Sequence, residues 1–186
     1  MWYRTRVDLD NGNLNHCHAK VERHLSELRS CFVDSNYVES VLKDRDPLVY
    51  RVYRVIPATG SRNLEFGTSI VYPGRIGHEY FMTKGHFHEK EDAGEVYFCL
   101  KGEGYLILQS FDGQALYIRL KPGFAAYVPP KWWHRTVNTG EEPFICFYVV
   151  PADAGHNYTC LRKGDVKIVA MEVNGRPKIL RRGGHS

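Results

Sequence analysis

The chain has 186 residues, 25 Lys and Arg against 21 Asp and Glu for a formal charge of +4, and is 43% apolar with nine His and five Cys. A chain of this length buries roughly 70% of the surface its unfolded form exposes, which excludes intrinsic disorder and any need for disulfide or metal staples. Its longest apolar runs, such as Phe144 to Pro151, fall far short of the roughly 20 residues of a membrane helix, and Met1-Trp2-Tyr3-Arg4 opens no apolar signal core, so no membrane role and a cytosolic location are expected.

Near the start, Val7 to Asp10 runs into the tight-turn signal Asn11-Gly12-Asn13. Val21, Leu25 and Leu28 recur at helical spacing and predict a helix over Ala19 to Leu28. Asp34-Ser35 offers an N-cap to a second helix with Tyr37, Val38, Val41 and Leu42 on its apolar face, stopped at Asp46-Pro47. From Leu48 the texture changes to short Val, Ile, Tyr and Phe runs recurring every 8 to 12 residues between Gly and Pro, which predicts an all-β sandwich or barrel. The expected strands are Val49 to Ile56, Leu64 to Tyr72, Tyr80 to Phe87, Glu95 to Lys101, Tyr105 to Ser110, Leu116 to Leu120, Phe124 to Val128, His134 to Val137 and Phe144 to Val150. Val166 to Val173, the turn Asn174-Gly175 and a return strand to Leu180 close the chain. The expected organisation is one domain over 1–186, with a helical N-terminal extension over 1–47, a barrel core over 48–156 and a C-terminal β-hairpin within 157–186.

Cys17, Cys31, Cys99, Cys146 and Cys160 are odd in number and widely spaced, without a CxxC pair, and read as free thiols in a reducing compartment. The positive charge is mild and spread out, so the footprint of a nucleic-acid binder is missing. The histidines carry more information. In Thr83-Lys84-Gly85-His86-Phe87-His88 two imidazoles stand two residues apart, and on a strand both reach one side. Glu95 opens a later strand, and His134 follows Pro129-Pro130-Lys131-Trp132-Trp133. His86, His88, Glu95 and His134 make three nitrogen ligands and one oxygen ligand, which suits a divalent first-row metal and leaves open positions for chemistry. Glu89, Glu91 and Asp92 are rival carboxylates, but they lie in a loop that holds a ligand less firmly. His16, His18, His24, His78 and His185 carry no assignment, and Ser69 has no partners that would make it a nucleophile.

The order HxH, Glu, Gly, then Gly123, Pro129, His134 and Asn138 resembles the two motifs of the cupin superfamily, small metal-holding double-stranded β-helix or jelly-roll barrels. The six residues between His88 and Glu95 and the Lys131 in place of Gly depart from the usual pattern. With the run from Thr83 to His88, Glu95-Val96-Tyr97 after Gly94, the Pro129-Pro130 pair and Pro151-Ala152-Asp153-Ala154-Gly155-His156, the stretch from Tyr50 to His156 resembles the cupin-type phosphoglucose isomerases of archaea and some bacteria.

That resemblance implies a mainly β cupin fold and a homodimeric, metal-dependent, cytosolic isomerase that interconverts glucose 6-phosphate and fructose 6-phosphate in glycolysis and gluconeogenesis. The metal, Fe(II) in first place with Zn, Ni or Mn as alternatives, falls to His86, His88, Glu95 and His134. Substrate contacts fall to Tyr50, Thr68, Ser69, Thr83, Lys84, Gly85 and Tyr97, and proton transfer to Glu95 or His156. Similar enzymes carry Tyr before Pro151 where this chain has Val150, and Tyr148 on the same strand face is the expected compensation. An isomerase must move hydrogen between C1 and C2, by an enediol through a general base or by a hydride shift, and both routes stand open. Lys84 poses a parity problem: on a regular strand it would share the face of His86 while Thr83 and Gly85 pointed away, so a bulge at Gly85 is needed to aim all three at a phosphate. Rivals are a mannose 6-phosphate isomerase, a metal cupin dioxygenase and a non-catalytic metal-bearing sugar-phosphate sensor.

Overall fold

The computed structural model describes residues 2–60, 62–158 and 165–182. Cys160 and His185 lie outside the described residues. Strands β1 (Ala19–His24), β2 (Leu48–Val55), β3 (Leu64–Val71), β4 (Arg75–Ile76), β5 (Glu79–Tyr80), β6 (Glu95–Lys101), β7 (Gly104–Ser110), β8 (Ala115–Leu120), β9 (Ala125–Val128), β10 (Trp132–Asn138), β11 (Phe144–Pro151), β12 (Ile168–Val173) and β13 (Arg176–Arg181) make up most of the regular structure. A 3-10 helix, Leu25–Cys31, and one α-helix, α1 (Ser35–Leu42), complete it. The strands form a six-stranded sheet ordered β1-β2-β3-β11-β6-β9, a three-stranded sheet β10-β7-β8 and a four-stranded sheet β13-β12-β5-β4. Mostly antiparallel pairing in several short sheets lets one face of each be buried while the other meets water. In β6 the alternation is plain, with Glu95, Tyr97 and Cys99 buried and Val96 and Phe98 exposed.

Two expectations fail. The helix over Ala19 to Leu28 is instead β1 followed by the 3-10 helix. This segment lies along the edge of β2, where pairing satisfies its backbone from Ala19↔Arg54 to His24↔Leu48. The Glu22 carboxylate accepts from Nε of Arg51 directly across the pair at 2.8 Å. Only Leu25 and Leu28 keep the three-residue spacing, as a 3-10 helix, and both are fully buried. Each buried leucine contributes on the order of 1.5–3 kcal/mol to docking this segment. Residues of the expected N-terminal extension thus complete the main sheet. The second helix forms as expected, with the Asp34 carboxylate accepting from the Tyr37 amide at 2.9 Å.

The expected strand from Tyr80 to Phe87 also breaks after Tyr80. Beyond it only isolated bridges hold the chain, Met82↔Val137, His86↔His134 and Phe87↔Asn157. At Gly85 a φ of 78° lies outside strand geometry, so no regular strand runs through this residue to Phe87. A Cβ there would also stand 2.2 Å from the Trp133 ring, so the loop passes the indole only because the residue is glycine.

The core has two main clusters. One gathers Leu25, Leu28 and Phe32 against Val49, Val71, Phe81 and Trp133. The other joins Tyr97, Cys99, Phe144, Cys146 and Tyr148 of the large sheet to Leu106 and Leu108 of β7. The pocket lies where the inner face of β2, β3, β11 and β6 meets β10 and the 83–86 segment.

Candidate metal centre and pocket

Glu95 begins β6 and points inward because the strand alternates. Its Oε2 lies 3.1 Å from His88 Nε2 and 2.9 Å from His134 Nε2. His134 on β10 faces His86 across a two-way backbone bridge, with N···O distances of 3.1 and 3.0 Å. His86, His88, Glu95 and His134 bring their ligand atoms within 4.8 Å of one another. The rival carboxylates stay outside: Glu91 pairs with Lys131 at 3.8 Å and Glu89 lies against Gly155.

The donor set fits a metal ion on two counts. His86 Nε2 is buried with no hydrogen-bond partner. His88 Nδ1 and His134 Nδ1 face the carbonyl oxygens of Ala93 and Trp132 at 3.1 and 3.2 Å. A carbonyl only accepts, so each Nδ1 carries a proton, and each Nε2 either turns a lone pair toward Glu95, itself an acceptor, or donates to it only by taking up a second proton. A cation among them resolves that conflict, and the carbonyl bonds are the second contacts that orient histidine ligands. These four side chains can hold a metal ion.

Electrostatics agree with a closed polar centre. Burial, then the neighbouring His134, pushes the His86 ring well below its usual range. Burial would also lower His88, but its bond to Glu95 outweighs this and raises it. Glu95 is buried too, yet the bonds from His134 and His88 hold it far below the usual carboxylate range. Burial, the Glu95 charge and a hydrogen bond to Glu95 push the Tyr97 hydroxyl far up, so it stays a donor.

The pocket beside this centre is lined by Tyr50, Ser69, Thr83, Lys84, Gly85, His86, Glu95, Tyr97, His134, Tyr148 and His156, so most residues singled out in the sequence meet here. The irregular turn at Gly85 is what brings Thr83, Lys84 and Gly85 to one wall, which resolves the parity problem. Lys84 Nζ lies 4.8 Å from the Tyr158 ring centroid. The His156 ring is 4.4 Å from that of His86, and burial, then the charge of Arg54, lowers its affinity for a proton.

Thr68 does not belong. It is fully buried on the opposite face of β3 and donates to the Gly12 carbonyl at 2.6 Å, whereas Ser69 lines the pocket. Adjacent strand residues point to opposite faces, so the expected pair cannot act together.

Val52, Arg54, Glu65 and Tyr158 also line the pocket and were not read from the sequence. Period two along β2 links Arg54 to Tyr50 through Val52, and Glu65 to Ser69 through Gly67, so a parity count was the available signal for those two strands. Tyr158 follows β11 in irregular chain and had no such signal. Val150 is buried two residues from Tyr148 in the same apolar cluster.

Short antiparallel sheets around one pocket, with three histidines and a glutamate gathered on its wall, define a β-barrel whose donor set can hold a metal ion. The barrel is similar to oxalate oxidase, with a TM-score of 0.50 at 18% identity over 60% of this chain and 55% of that one. It is likewise similar to Peruvianin-I, a cysteine peptidase from Thevetia peruviana latex, with a TM-score of 0.50 at 22% identity over 59% and 66% of the two chains. At such identities the likeness concerns the fold alone.

Sequence relatives go further. The family Glucose-6-phosphate isomerase (GPI) matches residues 22–182. The chain is 46% identical over 176 residues to the glucose-6-phosphate isomerase of Pyrococcus abyssi, covering 94% of this chain and 92% of that one. Against the enzyme of Pyrococcus furiosus the identity is 45% over 179 residues, covering 96% and 94%. Against that of Sinorhizobium medicae it is 33% over 159 residues, covering 85% and 74%. The chain belongs to the glucose-6-phosphate isomerase family.

Proposed function

We propose that this chain is a metal-dependent aldose-ketose isomerase that interconverts glucose 6-phosphate and fructose 6-phosphate. The observation that carries this reading is the unpartnered His86 Nε2, buried beside Glu95 and His134 in a pocket that also holds Tyr50, Thr83 and Lys84. When bound, the metal supplies Lewis acidity toward the sugar's C1 and C2 oxygens. His86, His88, Glu95 and His134 hold it, and Tyr97 steadies Glu95 through its hydroxyl.

Tyr50, Ser69, Thr83, Lys84 and the Gly85 backbone take the phosphate, where hydroxyls, an amide and one cation converge. Tyr148 meets a sugar hydroxyl. Glu95, spent on two imidazoles, is a weak base, whereas His156 has a neutral ring free of that network and is assigned the proton between C1 and C2. Retention of all hydrogen at C2 during turnover in heavy water would remove His156 from that step in favour of a hydride shift.

Iron(II) is the ion assigned, since three imidazoles and one carboxylate with open positions suit it, Zn, Ni or Mn. A homodimer in the cytosol is assigned with it. The exposed Val96, Phe98 and Tyr127 offer a second copy an apolar face, and the free Cys17, Cys31, Cys99 and Cys146 suit a reducing compartment. Among the described residues no helix is long and apolar enough to cross a membrane.

A coupled assay with fructose 6-phosphate decides the matter. Turnover that disappears on chelation and returns with Fe(II) is expected, and metal-loaded protein without turnover overturns the reading.

A further inference from the structure

One pair in the pocket, Arg54 and Glu65, has no part in the reading above. Arg54 donates Nε to Glu65 Oε1 at 2.7 Å and Nη2 to Glu65 Oε2 at 2.6 Å, a bidentate pair. The Tyr148 hydroxyl donates to the same Oε1 at 2.8 Å. Glu65 is 3% exposed, so its charge is buried and the two donors are what make that burial tolerable.

The backbone is shaped for this contact. Gly67 faces Arg54 on one side and Tyr148 on the other. A Cβ on Gly67 would stand 1.9 Å from the Tyr53 carbonyl oxygen and 3.1 Å from Tyr148 Cε1, so only glycine lets the tyrosine ring cross β3 toward Glu65.

From this arrangement we infer that Arg54 reads the hydroxyl-bearing carbons of the substrate, with Glu65 as the positioning residue that fixes the guanidinium and the Tyr148 hydroxyl. The bidentate pair engages Nε and Nη2, so the Nη1 hydrogens are not spent on Glu65. Arg54 lines the pocket and its side chain keeps 30% of its surface exposed. With Glu65 already neutralising it, Arg54 offers directed N–H donors rather than a free positive charge, which suits a hydroxyl or carbonyl oxygen better than a phosphate.

Its position agrees. A rise of about 3.4 Å per residue sets Arg54 about 14 Å along β2 from Tyr50 at the phosphate end. In the neighbouring strands the same row carries Tyr148 and Tyr97, two residues along β6 from Glu95. Arg54 therefore stands beside the sugar chain near the metal centre. A site that hydrogen-bonds a hydroxyl discriminates strongly against a ligand that misplaces it, because its buried polar groups are then unpaired.

This inference rests on the isomerase reading, and the test separates the two. The metal-loaded wild type and the double variant Arg54→Met/Glu65→Met, which removes both charges and leaves neither unpaired, are compared on fructose 6-phosphate and on its C4 epimer. Inhibition by inorganic phosphate is measured alongside. The expected result is a KM for fructose 6-phosphate raised about ten- to a hundredfold, a preference over the epimer reduced by a similar factor, and phosphate inhibition within twofold of wild type. Arg54→Lys, which keeps the charge and loses the fork, is expected to behave in the same direction and covers the case of a double variant that does not fold.

Unchanged KM and epimer preference in a wild type that turns over fructose 6-phosphate overturn this inference alone. Phosphate inhibition weakened in step with KM overturns it as well, because the whole pocket has then collapsed. A wild type without turnover overturns the isomerase reading and this inference with it.

Discussion

His134 shows how much one side chain carries. It is 1% exposed, bonded to Glu95 through Nε2 and fixed by the Trp132 carbonyl through Nδ1. His134→Ala removes one of four metal ligands and is expected to lose bound metal, read by elemental analysis, together with at least a hundredfold of activity. A variant that kept both would undo the site assignment.

Thr68 and Ser69 give a sharper comparison, since they are adjacent and face opposite ways. Thr68→Val strands the Gly12 carbonyl and is expected to cost about 1–2 kcal/mol of stability in denaturant titration with KM unchanged. Ser69→Ala is expected to do the reverse, raising KM severalfold at nearly constant stability. The four side chains that the structure gathers were legible in the sequence because local spacing keeps His86 and His88 together and few residue types can ligate a metal. Thr68 misled because a motif gives residue types, while the face a residue occupies depends on which strand edge pairs with which.

At the scale of elements, the N-terminal segment teaches most. Ala19 to Leu28 has apolar residues that satisfy a helical period, yet its first half is a strand because the edge of β2 was open. Periodicity measures one chain's pattern, whereas an unpaired strand edge belongs to the sheet and outweighs it.

The junction to the 3-10 helix is held by Asp46, whose carboxylate accepts from the Ser26 amide at 2.9 Å and the Ser26 hydroxyl at 2.6 Å. Burial alone would raise its pKa, but those two bonds outweigh it and hold the group below the usual 3.8. The folded carboxyl thus releases its proton at lower pH than the unfolded one. Its contribution to stability is complete above about pH 4 and is lost as the pH falls through the depressed folded value. Thermal melts of wild type and Asp46→Ala from pH 6 downward are expected to differ most at the upper end and converge in acid. A gap that widened on acidification would contradict the sign.

For the whole molecule, the candidate metal centre draws on separate parts of the fold. Glu95 comes from the six-stranded sheet, His134 from the three-stranded sheet, and His86 and His88 from the irregular chain after β5. A ligand that binds only the folded state adds stability by mass action, about 2.7 kcal/mol at a hundredfold excess over Kd. Chelation is therefore expected to lower the midpoint of thermal unfolding by several degrees, with recovery on adding Fe(II), followed by calorimetry. The His134→Ala protein is expected to show no such response.

The sequence by itself determined that this chain is a mainly β barrel, that its turns fall at Gly and Pro, and that His86, His88, Glu95 and His134 are the residues able to bind a metal. Alternation, turn chemistry and ligand type are local properties, so they survive without coordinates. Tertiary structure alone decided that β1 completes the large sheet, that Gly85 turns Lys84 and Thr83 to one wall, and that Arg54 meets Glu65 and Tyr148 across Gly67. Those outcomes depend on register and on close approach between strands distant in sequence, where a single missing Cβ decides whether two side chains can touch.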